Sequence, residues 1–322
     1  TSDSLFVGAV IQDYDVIVTG ADGRVEVELQ VGPNGTLLRV SPNSACYVSS
    51  AVEPSGSRTE VRMLSGRAGF SVTQTRESQR FSVRTNAAVL GVRGTEFDVL
   101  NSPDEATLVG IREGSVAVDV DGTEVTAGEG VIVEAVSGRA PQQASVAEER
   151  YDEYYQRWQE IRMDIFRSGA STFIQAYAQR FRDLEPDFDD AYQALMEKAP
   201  ALEQALSQEG TAAEDVQLRM ALGPAVVKAR SVLPMFEMTV YRLRELERYH
   251  SRGIGRTQIG REPSLEFFRT FAERERELLV QLSEMRSALR DYARLQQRGF
   301  GSGFPNIPSP FDSAPAGPDM TR

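Results

Sequence analysis

The chain has 322 residues, 41% of them hydrophobic, and a formal net charge of −12 at pH 7. This length allows one large or two medium domains, and the hydrophobic share is sufficient for a buried core. An acidic protein repels phosphate backbones and anionic lipid surfaces, so the charge disfavours nucleic acid as a partner. Because Cys46 is the single cysteine, no internal disulfide can form.

Residues 1–137 consist of short runs of Val, Ile and Thr separated by Gly, Asp, Asn and Pro. This punctuation predicts many short strands. Asp22-Gly23 and Asp121-Gly122 each lie between two alternating segments, and Asp-Gly favours two-residue hairpin turns because both positions tolerate positive φ. We therefore predict an all-β sandwich or roll over 1–137, with a hairpin at each Asp-Gly pair.

The segment 81–99 combines two alternating apolar patterns with a break between them. Gly91 and Gly94 bracket Arg93 at this break, and glycine inside a strand pattern indicates a bend or a close backbone approach. We predict a bent strand pair in the core of the β domain. Arg93 is either a recognition residue presented on the bend or a structural residue tied to Glu96 or to backbone carbonyls; we favour the structural role.

Three runs in this region resemble the signature of the FecR domain, a bacterial β domain first named for a regulator of iron-citrate uptake. They are RTNAAV at 84–89, GVRGTEF at 91–97 and TLVGIREGSV at 107–116. Two earlier runs, DVIVTGADGRVEVEL at 15–29 and RVSPNS at 39–44, extend the resemblance to about 5–135. Asn86 departs from it, because the family usually has Pro there.

The resemblance implies an extracytoplasmic β domain that binds proteins. Its signature residues, which we interpret as structural, are Gly91, Arg93, Gly94, Thr95, Glu96, Phe97, Glu113 and Gly114. In the family, the protein passes a signal from an outer-membrane receptor to an anchored sigma-factor regulator, and a cytoplasmic helical segment and a membrane helix precede the β domain.

A polar stretch with Gly and Pro at 138–145 predicts a linker, and the periodicity after it is helical. We predict an α-helical domain of long helices over 146–298, so the fold class is two-part, all-β followed by all-α. One face of the first helix gathers apolar side chains at helical spacing. These are Tyr151, Tyr154, Tyr155, Trp158, Ile161, Ile165 and Phe166.

Further signals divide the helical region. Pro186 and Pro200 are expected to break the helices in which they lie. Thr211 with Glu214 is a capping box that predicts the start of another long helix, and Pro263 suits the first turn of a last helix ending near 298. Predicted core positions of these helices include Met220, Val227 and Leu265.

The tail 299–322 is rich in Gly, Pro and Ser and buries too little surface to offset its ordering entropy. We therefore favour a disordered end. The alternative is an extended peptide that docks on a partner through spaced apolar residues. Those residues are Phe300, Phe304, Ile307 and Phe311.

Few residues suggest reaction chemistry. His250 is expected to be an exposed residue at a helix end, and Cys46 a buried small hydrophobe. No sequence pattern brings these two together as a nucleophile pair. Three acids, Asp187, Asp189 and Asp190, lack the spacing of a calcium-binding loop and are expected at a helix start. Three glycines, Gly253, Gly255 and Gly260, do not follow a strand as those of a phosphate-binding loop do. We predict no enzyme activity, no cofactor and no metal.

Two functional classes remain. The first is a non-enzymatic periplasmic scaffold that binds other extracytoplasmic or membrane proteins, or itself. The alternative is a periplasmic signalling regulator of the FecR type. No run approaches the roughly 20 apolar residues of a membrane helix, so any membrane anchor is expected to precede Thr1. A long helical region after the β domain is not part of the FecR-type regulator, so the sequence favours the scaffold. The gene upstream of Thr1 discriminates, because a cytoplasmic segment with one membrane span is typical of the regulator.

Overall fold

The computed structural model describes residues 6–31, 35–53, 56–73, 78–207 and 211–299. Within these described residues, fourteen strands precede the first α-helix. They are β1 Val16–Val18, β2 Val25–Leu29, β3 Thr36–Val40, β4 Ala45–Glu53, β5 Gly56–Ser65, β6 Arg67–Val72, β7 Gln79–Arg84, β8 Val89–Val92, β9 Thr95–Asn101, β10 Thr107–Glu113, β11 Ser115–Val120, β12 Thr123–Gly128, β13 Val131–Ala135 and β14 Gln142–Ser145.

These strands form two seven-stranded sheets that share one apolar core. Sheet A has the order β1-β4-β5-β7-β8-β11-β12, and sheet B the order β14-β13-β10-β9-β6-β3-β2. All pairings are antiparallel except β5 with β7. Phe70 and Phe97 of sheet B stack with their ring centroids 4.8 Å apart, and Phe81 of sheet A meets Phe70 edge-on. The predicted all-β region is confirmed.

The hairpin predicted at Asp121-Gly122 is present. Val120 pairs with Thr123, and the two turn residues have φ values of 51° and 84°. Positive φ at both positions defines the tight turn whose twist matches that of the flanking strands. Asp and Gly tolerate this conformation, so the local sequence is sufficient to set the turn.

The hairpin predicted at Asp22-Gly23 is wrong, because β1 joins sheet A and β2 joins sheet B. Neither turn residue has a positive φ. Instead, the Gly23 N–H donates to the Gly20 carbonyl at 3.2 Å, and the Thr19 hydroxyl donates to the Ser41 carbonyl at 2.6 Å. These bonds hold the connection against the β3–β4 loop as the chain crosses between sheets.

Strand β14 occupies the second half of the stretch 138–145 predicted as a linker. Its residues pair with β13, Ala144 opposite Ile132 and Gln142 opposite Glu134. The β13 backbone would otherwise present an unpaired edge, and β14 satisfies its hydrogen bonds. The polar composition did not indicate this strand, because its contribution to the sheet comes from backbone hydrogen bonds and not from apolar side chains.

In the described part of the chain, four α-helices follow: α1 Tyr151–Met196, α2 Ala199–Ser207, α3 Ala212–His250 and α4 Ser264–Gly299. A short strand pair, β15 Gln258–Ile259 with β16 Glu262–Pro263, lies between α3 and α4. The capping box is confirmed, since the Thr211 N–H donates to Glu214 Oε2 at 2.8 Å and the Glu214 N–H donates to Thr211 Oγ1 at 3.3 Å. Pro186 does not break a helix but lies inside α1. It is on the exposed face, where water can solvate the carbonyl that proline leaves unpaired.

The chain divides into two compact units. One contains Ile11–Phe173 with Arg244–Gly255, and the other contains Ile174–Leu243 with the described residues before 11 and after 255. The second unit has an aromatic core in which Phe188 and Phe236 stack at 4.0 Å. Within the described residues, no helix is both long and apolar enough to cross a membrane.

Three predicted core positions of the helices are wrong. Met220, Val227 and Leu265 are 73%, 43% and 67% exposed. Their residue type fits the apolar stripe, but large apolar side chains also occur singly on protein surfaces, so type alone does not decide burial.

Candidate functional site

Two connections where the chain changes sheets lie against each other, and we name them the paired corner. Residues 93–94 carry the chain from β8 in sheet A to β9 in sheet B, and residues 113–114 carry it back from β10 to β11. Gly94 and Gly114 have φ values of 62° and 79°. A Cβ added at Gly114 would lie 2.4 Å from the Gly94 carbonyl oxygen. Glycine is therefore required at 114 for both backbone angle and space.

Thr95 ties the paired corner together. Its buried hydroxyl donates to the Ser115 carbonyl at 2.8 Å and lies 3.2 Å from the Arg93 carbonyl. Two positions later, Phe97 enters the core stack with Phe70. The glycines, threonine and phenylalanine of the signature thus build the crossover between sheets.

The charged signature residues are arranged differently from the prediction. Glu96 lies 3.6 Å from Arg39 and pairs across the strands with Glu113. Arg93 is exposed, and its guanidinium forms no hydrogen bond or ion pair within the described part of the chain. The predicted tie between Arg93 and Glu96 is therefore not seen there, and the recognition role of Arg93 stays open.

The outer surface of β9, β10 and β13 carries the first turns of α1, and we name this surface the helix-docking face. Its apolar part consists of Leu100, Leu108 and Ile132. Tyr151, Tyr155 and Trp158 of α1 pack on it and are each 6% exposed or less. The aromatic stripe predicted for the first helix therefore has a sheet as its partner.

Each aromatic residue also makes a polar contact to the sheet. The Tyr151 hydroxyl donates to the Ile111 carbonyl at 2.6 Å, and the Trp158 indole N–H donates to Glu134 Oε1 at 2.6 Å. The Tyr155 hydroxyl donates to Asp98 Oδ2 at 3.3 Å. Buried Tyr and Trp side chains usually have their polar atoms paired in this way.

Asp98 also has two cationic partners, Arg112 at 2.9 Å and Arg67 at 3.3 Å. The Arg112 and Arg67 guanidinium groups lie over the Tyr151 and Tyr155 rings. Burial, and next the Asp98 carboxylate, raise the pKa of Tyr155 far above its ordinary value, so this phenol remains a hydrogen-bond donor.

Arg162 ends the docked stretch with a buried ion pair. Its guanidinium contacts both carboxylate oxygens of Asp104, at 2.5 Å and 3.2 Å. The Asp104 side chain is 1% exposed and also accepts the Ser102 hydroxyl at 2.5 Å. A two-pronged guanidinium–carboxylate pair fixes orientation as well as proximity.

Gly110 provides the space for this arrangement. A Cβ at Gly110 would lie 1.9 Å from the Tyr155 hydroxyl oxygen. Sequence reasoning missed this glycine, Asp98, Asp104 and Arg162. One signal was available: Arg162 continues the helix face of Tyr151, Tyr155 and Trp158. If that face is buried, the arginine is buried too, and a buried charge needs an acidic partner.

The candidates for reaction chemistry are not among the residues that define the paired corner or the helix-docking face. Cys46 is buried as predicted, and burial raises the pKa of its thiol to about 12, so it is poorly reactive. His250 is 3% exposed rather than exposed as predicted. Asp187, Asp189 and Asp190 lie within α1 and not at a helix start. Across the described ranges, no three His, Cys, Asp or Glu side chains form a metal-binding group.

The four apolar residues of the proposed docking tail, Phe300, Phe304, Ile307 and Phe311, lie outside the described residues. Gly91, the remaining signature glycine, lies exposed within β8 without a positive φ. A Cβ there would be 3.7 Å from the Ala117 Cβ, an ordinary contact. Its backbone therefore has no need of glycine.

Comparison with known proteins agrees with the resemblance. Residues 15–117 match the model of the family described as FecR protein. Two crystal structures of a candidate anti-sigma factor from Parabacteroides distasonis match the chain at 22% identity and a TM-score of 0.36. Each match covers 44% of this chain but only 65% and 64% of the two matched chains, less than two thirds.

No curated protein matched the chain. The family match coincides with the strands that build the paired corner, where this crossover uses Gly94 and Gly114, Thr95 and Phe97 of the signature. The helical region after 146 lies outside it. The similarity to the FecR family therefore lies in residues 15–117.

Proposed function

We propose that this protein is a non-enzymatic signalling regulator of the FecR type that acts outside the cytoplasm. Its β domain receives a protein partner, and its helix-docking face holds the start of the helical region. The observation that carries this proposal is the FecR match over 15–117 together with the buried contacts of 151–162 on the same domain.

The scaffold remains the second candidate, because the long helices after 174 lie outside the family match. Deleting the gene should have different consequences under the two functions. A regulator controls a restricted set of transcripts, whereas a scaffold supports an assembly without changing transcription.

The test is deletion of the gene in its source organism, followed by transcript profiling and complementation. We expect a small set of transcripts to change, including that of an outer-membrane receptor, and to be restored by the intact gene. Unchanged transcripts with loss of a surface assembly would instead establish the scaffold.

Complementation with point variants links the transcript effect to the docked helix. Arg162→Ala leaves the buried Asp104 carboxylate without its cation and is expected to fail to restore the transcripts. Arg157→Ala removes an exposed arginine of the same helix and is expected to complement fully. Equal behaviour of the two variants would separate the docked helix from the function.

A further inference from the structure

The outer face of sheet A carries a cluster of arginines that the proposed function does not use. We name it the arginine patch, and it consists of Arg58, Arg62, Arg80, Arg84 and Arg93. Strand pairing places Arg62 beside Arg84 and Arg58 beside Arg80. Phe81 pairs with Val92 at the end of the β7–β8 register, and Arg80 and Arg93 are the residues next to this pair in the chain.

A row of short side chains crosses the sheet between the two arginine pairs. Ser49 pairs with Glu60, Glu60 with Ser82, Ser82 with Gly91 and Gly91 with Ala117. Apart from Glu60, no member of this row has more than two side-chain heavy atoms. The row lies between the two arginine pairs, whose positions, separated by four strand residues, are about 13 Å apart. Arg62 is buried, whereas Arg58 and Arg84 are partly exposed.

The arrangement has an electrostatic cost. Like charges directly opposite each other on neighbouring strands are destabilising, and β5 with β7 presents two such pairs. Glu60 offsets part of this cost, because Arg62, Arg84 and Arg58 lie 2.9, 3.2 and 3.8 Å from its oxygens.

The remaining two arginines face solvent. Arg80 and Arg93 are exposed, and their side chains form no hydrogen bond or ion pair with the residues that the structure describes. These two exposed cations belong to a chain whose formal net charge is −12 at pH 7. Positive charge gathered at one place on an acidic protein attracts an anionic partner locally, although the molecule as a whole repels it.

The chemistry of the patch narrows the class of partner. Guanidinium forks bind carboxylates and phosphates two-pronged. Membrane binding also requires apolar side chains that insert, and no large apolar side chain is exposed among the described residues of β5 and β7. The net charge disfavours nucleic acid and a second copy of this chain. An acidic segment of another protein fits best.

We propose that the arginine patch docks an extended acidic segment of a partner protein, whose carboxylates bind the exposed Arg80 and Arg93 and the partly exposed Arg84. This deepens the proposed function by naming the chemistry of the partner. The two remain distinguishable, because peptide binding is measured on the purified chain and the regulator is tested by transcripts.

The test uses the full chain and a fluorescent peptide of about ten residues with glutamate at alternate positions, matching one face of an extended segment. Binding is followed by anisotropy at about 50 mM salt, where surface charges are weakly screened. For Arg80→Glu with Arg93→Glu, we expect at least a tenfold increase in Kd. The matched control, Arg139→Glu with Arg157→Glu, makes the same charge change at exposed sites and should alter Kd less than about twofold.

Three results would overturn the proposal: no binding of the peptide by the unaltered chain, equal weakening in the patch and control variants, or a patch variant that binds as before. Inorganic phosphate that displaces the peptide at matched ionic strength would reassign the patch to phosphate. Vesicles containing phosphatidylglycerol that bind through Arg80 and Arg93, in place of the peptide, would reassign it to a membrane surface. Circular dichroism confirms that each variant is folded.

Discussion

The two outer faces of the β sandwich differ in how their charges are satisfied. On the helix-docking face of sheet B, Asp98 meets Arg67 and Arg112, and Asp104 meets Arg162. On the arginine patch of sheet A, Arg80 and Arg93 face solvent without such partners among the described residues. One face has its charges matched within the chain, and the other has cations in excess.

This difference shows how one sandwich can serve two tasks. A buried, aromatic face whose charges are paired holds a helix stably. Separating the helix from it would expose apolar surface and leave buried charges without partners. A face whose cations remain hydrated can bind and release a charged partner at little cost to stability. The paired corner joins the two sheets and keeps both faces in register.

Breaking the paired corner should have the largest effect, because it removes both faces together. In Gly114→Val, a branched side chain would have to adopt a φ of 79° and clash with the Gly94 carbonyl. We expect a loss of about 3 kcal/mol or more in the free energy of unfolding, measured by urea denaturation. The matched control Gly91→Ala should change stability by less than about 1 kcal/mol; similar losses in both variants would show that the corner is not special.

Removing the cation of the buried pair should affect only the docked side. Arg162→Ala leaves the Asp104 carboxylate buried, and we expect a loss of about 3–5 kcal/mol in the stability of the docked segment. Hydrogen exchange over 151–173 is the measurement. Arg157→Ala provides the comparison, and unchanged exchange in Arg162→Ala would show that this pair contributes little to docking.

Filling the space at Gly110 tests the fit between sheet and helix. Gly110→Ala places a methyl group where the Tyr155 hydroxyl lies, and overpacking of this kind costs about 1–3 kcal/mol. Faster exchange of 151–162 with an intact β core is the expected result. Tyr155→Phe removes the nearest clashing atom, so the double variant should lose less than the sum of the two single effects; strict additivity would contradict the contact.

Acid titration of Glu60 tests the other face with the smallest expected effect. Burial raises the pKa of Glu60, but Arg62 and Arg84 outweigh it and hold that pKa below the ordinary 4.5. Its stabilising contribution is therefore complete above about pH 4.5 and is lost as the pH falls through the lowered pKa. Relative to Glu60→Gln, the unaltered chain should be more stable at pH 7 and lose that advantage on acidification; parallel stability curves would contradict this.

How much of this could be read from the sequence depended on the range of the interaction. Asp121-Gly122, the Thr211–Glu214 capping box and the FecR signature were identified because each depends on residues close in the chain. Asp22-Gly23 failed because the Thr19 hydroxyl bonds to Ser41, across a loop that no local pattern reveals.

The candidate surfaces depended on contacts between distant residues. Arg162 and Asp104 are 58 positions apart, and the sequence around each residue gives no indication that the two are partners. The arginine patch arises from β5 and β7 pairing in parallel, a topology that alternating strands do not specify. The aromatic stripe of α1 was recognised, although its partner was not.

The division of labour between the two faces is tested most directly by hydrogen exchange of the full chain with and without the acidic peptide. The account predicts slow exchange at 151–162 that the peptide leaves unchanged, and added protection confined to β5, β7 and β8. Peptide-induced protection of β9, β10 and β13 with exposure of 151–162, and none on sheet A, would show that the partner instead competes with the helix for sheet B.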